Sequence, residues 1–165
     1  MSEVILLCGK ICCGKSWYAE KLKKERPIVV LASDELMLSL FDVYLGDKHC
    51  ETVNKANEYL YFEAEKIANA GMDVALECGF WKKAGRQAVR ERFEKLGHKV
   101  TLVYIEADGE TIKKNAAKRN AALEKGEIRF CYPADENLLN KCEAGFEVPD
   151  EEECDVILNT NSIAE

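Results

Sequence analysis

The sequence predicts a three-layer α/β fold with a parallel five-stranded sheet, and three observations carry that prediction. A short apolar run from Glu3 to Cys8 leads directly into Gly9-Lys10-Ile11-Cys12-Cys13-Gly14-Lys15-Ser16, which matches G-x-x-x-x-G-K-[ST] at every specified position. Further short apolar runs alternate with stretches of helical spacing, as a parallel sheet with crossover helices requires. The second and third runs leave on carboxylates, at Ser33-Asp34-Glu35 and at Glu77.

The first run is unbroken, which suits a parallel strand covered on both faces, and Ser16 to Arg26 reads as the helix that follows it. Glycines at 9 and 14 let the backbone bend tightly and bring consecutive N–H groups towards phosphate oxygens, while the helix start adds unpaired donors and a partial positive charge. Gly9 to Ser16 is therefore the candidate nucleotide-binding loop, a Walker A sequence. Lys15 would supply a point charge to the β- and γ-phosphates, and the Ser16 hydroxyl would be a ligand of Mg²⁺. A plain glycine turn before a helix leaves the agreement of strand, glycine spacing, Lys-Ser pair and helix unexplained.

At 165 residues the chain suits a single domain, 1–165, with a candidate lid at about 121–134. A net charge of −7 and a pI near 5.1 argue against a protein that coats nucleic acid by bulk electrostatics, although a local basic cleft stays open. The first apolar run is too short for a membrane span or a signal peptide and ends in the glycine loop, so a cytoplasmic protein is expected. The 8 cysteines show no Cys-x-x-Cys or zinc-finger spacing, so neither a zinc site nor a disulfide framework is expected, and they read as small hydrophobes. Cys12 and Cys13 carry two readings: thiols acidified by the helix start and Lys15, or small residues that the loop tolerates.

Further along, Pro27 to Leu31 is the second strand, and Asp34 beyond it falls at the sheet edge that holds the glycine loop. Asp34 can act on a ligand or cap the helix Glu35 to Phe41, together with Ser33. Asp42 to Glu51 reads as a loop suited to substrate contacts. From Thr52, the positions Val53, Ala56, Leu60, Ala64 and Ile67 follow helical spacing up to a stop at Gly71. Tyr59, Tyr61 and Phe62 read as packing, and His49 and His98 as ordinary polar residues. Met72 to Glu77 is the third strand; Glu77 at its exit holds Mg²⁺ through water, hydrogen-bonds substrate, or is a solvated strand-end charge.

The helix Lys82 to Leu96 carries an apolar stripe of Ala88, Val89, Phe93 and Leu96, with Arg86 and Arg90 lining the site or facing water, the latter favoured for Arg90. Lys99 to Ile105 is the fourth strand. Arg119 shares a stripe with Ile112, Ala116 and Leu123, and a guanidinium there needs either a triphosphate or a salt-bridge partner. Ala121 to Cys131 is the polar lid connection, Asp135 to Ala144 a helix, Phe146 to Pro149 an apolar hook, and Cys154 to Leu158 the last strand.

Read in order, Ser33-Asp34-Glu35, Glu77-Cys78-Gly79-Phe80-Trp81, Lys118-Arg119-Asn120 and Phe146-Glu147-x-Pro149 make the chain resemble the small AAA-like P-loop kinase family over nearly its whole length. That family is similar to zeta toxins, chloramphenicol phosphotransferase and the kinase domain of polynucleotide kinases. The resemblance implies a P-loop NTPase fold with a short lid, ATP and Mg²⁺ as cofactors, and transfer of the γ-phosphoryl group to a hydroxyl. It implies Asp34 as general base, Lys15 and Ser16 as phosphate and Mg²⁺ contacts, and Arg119 as a lid arginine facing the transferred group. The chain departs at Met37 and Leu38, where relatives often carry an arginine, which tells against a phosphate-bearing or nucleic-acid substrate. It departs again at Glu77, where relatives often have Asp; the carboxylate is kept. The expected activity is a Mg·ATP-dependent kinase of a small hydroxyl compound: nucleoside, sugar or antibiotic-like. The alternatives are a 5′-hydroxyl polynucleotide kinase and an ATPase switch acting on a protein partner.

Overall fold

In the computed structural model, which describes residues 1–161, the apolar runs form one parallel sheet. The strands are β1 (Glu3–Cys8), β2 (Ile28–Ala32), β3 (Asp73–Glu77), β4 (Lys99–Glu106) and β5 (Val156–Asn159), in the order β2-β3-β1-β4-β5. The helices between them are α1 (Lys15–Glu25), α2 (Ser33–Phe41), α3 (His49–Asn69), α4 (Lys83–Lys95), α5 (Gly109–Glu124) and α6 (Glu136–Gly145).

Two cores explain why the central runs are apolar without alternation. Val4, Leu6 and Cys8 of β1 face one side with Val74, Leu76 and Leu102, beneath Leu60, Tyr61 and Ala64 of α3 and Val89 and Phe93 of α4. Ile5 and Leu7 face the other with Ala75, Val103 and Ile105, beneath Ala19 and Leu22 of α1. The central strands β1, β3 and β4 thus feed both layers, and each fully buried aliphatic side chain contributes roughly 1.5–3 kcal/mol.

Register sets where the strands end. Ile5 of β1 pairs with Ala75 of β3 and Thr101 of β4, while Ala32 at the end of β2 pairs with Glu77 at the end of β3. The exits of β1, β2 and β3 therefore share one edge, and the glycine loop, Asp34 and Glu77 lie along it.

Several expectations are corrected here. The segment 42–51 is partly helical: a 3₁₀ turn at Gly46–Lys48 runs into α3, which starts at His49 rather than Thr52. Residues 121–124 complete α5, so the irregular connection begins at Lys125. Tyr61 packs, stacking on Phe80, but Tyr59 and Phe62 are half exposed. On α4 the inward stripe is Arg86, Val89 and Phe93; Ala88 and Leu96 are exposed. Arg90 turns to neither site nor bulk water but donates to Asp155 and to the Val100 carbonyl.

Arg86 is 2% exposed because its guanidinium has four protein acceptors. It forks onto both oxygens of Glu153, at 2.6 and 3.1 Å, and donates to the carbonyls of Phe80 at 3.0 Å and Glu147 at 2.9 Å. The loop after β3, the Phe146–Pro149 hook and the turn before β5 are fastened together through this one side chain. Removing one partner of a buried pair leaves the other desolvated, which costs about 3–5 kcal/mol. Arg86→Met is expected to lower unfolding free energy by about that amount in urea titration; a loss below about 1 kcal/mol would show that water replaces the guanidinium.

Candidate active site

The glycine loop is drawn tight by packing on β4. A Cβ at Gly9 would stand 2.4 Å from the Ile105 carbonyl oxygen and 2.5 Å from Cys13 Sγ, so the close approach excludes any side chain there. Cys12 takes a left-handed conformation (φ 59), and Gly14, at φ 108, precedes the first turn of α1. The Lys15 ammonium folds over the loop, donating to the Gly9 carbonyl at 2.9 Å and the Lys10 carbonyl at 2.7 Å. Ser16 Oγ donates to Glu77 Oε1 at 3.0 Å, which joins the loop to the exit of β3.

Asp34 lies in the first turn of α2 but does not cap it. The cap position is Ala32, without a side-chain bond, and Ser33 instead donates to the Glu77 carbonyl at 3.2 Å. The Asp34 carboxylate, which makes no hydrogen bond among the described residues, stays reachable from solvent at the floor of a cleft. The surrounding protein mass raises its pKa, Arg119 and Lys15 pull it down, and Glu77 pushes it up; the net direction is upward.

Arg119 arrives from α5. Its Nη2 donates to the Tyr132 carbonyl at 2.5 Å and its Nη1 approaches Cys12 Sγ at 3.8 Å. Among the described residues no carboxylate lies within ion-pair distance of it, so the salt-bridge reading has no partner there.

Of the two readings of the cysteine pair, the acidified thiol is not supported. Burial raises the pKa of both thiols and outweighs the neighbouring cations, Arg119 for Cys12 and Lys15 for Cys13. Cys13 is fully buried against α1 and β4, as a small packing residue.

Sequence reading missed the side chains that hold the loop's backbone. Thr160, just past β5, donates to the Cys13 carbonyl at 2.7 Å, and Asn115 of α5 donates to the Cys12 carbonyl at 2.9 Å. Cys142 of α6 accepts from the Ile11 amide at 3.4 Å, and Lys10 pairs with Glu143 at 2.6 Å. Their one local signal, a polar residue just beyond an apolar strand at Thr160, is too common to single out.

His49 reads from the sequence as an ordinary polar residue. It lines the same cleft as the glycine loop, Asp34, Glu77 and Arg119, a cleft of 1560 Å³ that is roofed by residues 128–133. That volume exceeds the roughly 300–1,000 Å³ of a site for one drug-sized ligand, so two ligands fit side by side.

A family model described as an AAA domain matches residues 4–146. No curated protein matches the chain by sequence. Among solved structures, a sugar kinase from Janibacter sp. superposes with a TM-score of 0.65 at 18% identity, over 96% of this chain and 86% of that one. The APS kinase of Mycobacterium tuberculosis, in complex with AMPPNP and APS, gives 0.64 at 19% identity over 96% and 88%. A gluconokinase from Sinorhizobium meliloti gives 0.60 at 14% identity over 99% and 84%. At these identities the likeness shows a shared P-loop NTPase fold.

Thr160→Val keeps the shape that fills the space beside Gly14 but removes the hydroxyl that Cys13 depends on. Faster amide exchange is expected across residues 10–15, with a global stability loss of only about 1–3 kcal/mol. Unchanged exchange there would make Thr160 a packing residue only.

Proposed function

We propose that this chain, which belongs to the AAA domain family, is a phosphotransferase that moves the γ-phosphoryl group of Mg·ATP to a hydroxyl of a small molecule. The observation that carries the reading is the unpaired Asp34 carboxylate, set in one cleft with the glycine loop, Glu77 and Arg119. The kinases that share the fold support it.

Phosphoryl transfer asks for positioning and charge neutralisation more than for covalent chemistry. The amides of residues 9–16 cradle the β-phosphate, and the Lys15 ammonium leaves the loop carbonyls for the phosphate oxygens. Asp34 accepts the proton of the acceptor hydroxyl and aims its oxygen at the γ-phosphorus. The new P–O bond forms as the bond to the β-phosphate oxygen breaks; ADP leaves with that electron pair, and the proton stays on Asp34. Arg119 sits where charge spreads over the transferred group.

Ser16 and Glu77 offer hard oxygen donors 3.0 Å apart, a set that suits Mg²⁺. Ser16 would hold it directly and Glu77 through water, and the ion would neutralise charge on the β- and γ-phosphates. Residues 125–134 act as the lid, fastened at its far end by the paired bonds between Asn120 and Ala134, at 2.8 and 3.1 Å.

Two variants test the reading. Lys15→Ala is expected to weaken Mg·ATP binding severely in calorimetry with the fold intact; unchanged affinity would remove the nucleotide site. Asp34→Asn keeps size and loses basicity, so near-normal ATP affinity is expected, with transfer slower by roughly 10²–10⁴-fold. Only ionised Asp34 is a base, so transfer in the wild type should rise with pH through a pKa above the ordinary carboxylate value and then level off. That limb should vanish in Asp34→Asn, and wild-type turnover in the variant would overturn the assignment.

A further inference from the structure

We propose that His49, Asn57 and Tyr132 form the acceptor-binding wall of the cleft, and that the acceptor is an uncharged, hydroxyl-rich compound of the sugar class. The inference rests on the phosphotransferase reading only for the fate of that ligand, not for its binding.

Four buried side-chain atoms lack a hydrogen-bond partner among the described residues: His49 Nδ1, Asn57 Oδ1, Arg119 Nε and Tyr132 Oη. All four residues line the same cleft. Folded proteins leave few such atoms, because each one costs roughly 1–3 kcal/mol, so their gathering in one cavity points to a ligand that completes them. Arg119 belongs with the phosphoryl group. The other three are neutral groups.

Their placement outlines the ligand. His49, Val53 and Asn57 follow one another at steps of four on α3, so one face of that helix lines the cleft for about 12 Å at ~1.5 Å per residue. Tyr132 comes from the lid opposite, its ring 5.3 Å from His49 and nearly perpendicular, at 85°. Tyr44 closes the corner, 4.3 Å from His49 and tilted by 35°. Burial raises the Tyr132 pKa, and the Asp34 charge adds to the effect, so the tyrosine is within electrostatic reach of the proposed base. A corridor thus runs from Asp34 past Tyr132 to His49.

The chemistry of the three groups selects the class. Burial lowers the His49 pKa, and Lys141 facing it from α6 lowers it further, so the imidazole is neutral and offers one N–H and one lone pair. Asn57 Oδ1 accepts, and the Tyr132 hydroxyl both donates and accepts. Hydroxyls, which also do both, can satisfy all of these at once. The tilted and perpendicular rings offer no pair of parallel plates for a planar base, whereas an aromatic corner accommodates the C–H faces of a puckered ring. A site built to hydrogen-bond hydroxyls rejects analogues that lack them far more strongly than an apolar pocket would.

Asn57→Leu and Tyr132→Phe each remove a polar atom that the protein itself leaves unpaired. Melting temperature should hold or rise, Mg·ATP Kd should stay within about twofold, and sugar binding should weaken by roughly tenfold in each. The probes are neutral monosaccharides and disaccharides, nucleosides and a 5′-hydroxyl oligonucleotide, read by ligand-observed NMR and, separately, by ATP-dependent transfer. Sugar binding that falls in both variants while their melting temperatures hold is the expected result. Unaltered sugar affinity, a fall in melting temperature that accounts for the loss, binding of nucleosides or the oligonucleotide alone, or binding of no probe would each overturn the assignment. Sugar binding without transfer would leave this wall standing and remove the kinase reading; transfer to nucleosides alone would do the reverse.

Discussion

Everything in this molecule depends on β1 lying parallel between β3 and β4. That pairing buries the backbone donors and acceptors of β1 on both sides, forces its side chains into two separate cores, and makes three strand exits coincide at one edge. A slip of one residue would exchange the two cores for every side chain of the strand. The cost of misregister thus positions a glycine loop and two carboxylates that are far apart in sequence.

The edge so formed is built from irregular backbone, and irregular backbone needs partners of its own. Side chains supply them. Thr160 and Asn115 satisfy loop carbonyls, Ser33 satisfies the last carbonyl of β3, and Arg86 holds two carbonyls as well as Glu153. With the Cys142 and Glu143 contacts of α6, these bonds tie α5, α6 and the segment around β5 to a loop encoded at the other end of the chain. A buried pair such as Arg86–Glu153 adds little net free energy over an apolar replacement, but it permits only one arrangement of the segments it joins. Specific geometry at the sheet edge is what the proposed chemistry requires of the fold.

Charge within the cleft is graded rather than uniform. The chain carries a net −7, yet Lys15 and Arg119 lie at the glycine-loop end with Asp34 in electrostatic reach of both, and the far wall carries the neutral His49, Asn57 and Tyr132 with Lys141 beside His49. Desolvation by the surrounding protein raises the pKa of Asp34 and lowers that of His49. One cleft therefore shifts two groups in opposite directions, as the proposed proton transfer beside a neutral acceptor requires.

Local sequence determined the fold class, the strands, the glycine loop and the exits at Asp34 and Glu77, because each is written in contiguous residues: an unbroken apolar run, a fixed glycine spacing, a carboxylate after a strand. Tertiary structure alone decided the rest. Arg86 admits both a site-lining and a solvent-facing reading until Glu153, 67 residues on, takes its place beside it. Cys12 and Cys13 admit both an acidic-thiol and a small-residue reading until burial is known, since a helix start lowers a pKa and desolvation raises it, and only packing says which is larger. His49 and Asn57 share a helical spacing with many other residues, and nothing in the local sequence singles out Thr160 or Tyr132. Their significance lies in which neighbours they have or lack across the cleft, and hydrogen-bond completeness is a property of three-dimensional surroundings that one-dimensional spacing does not contain.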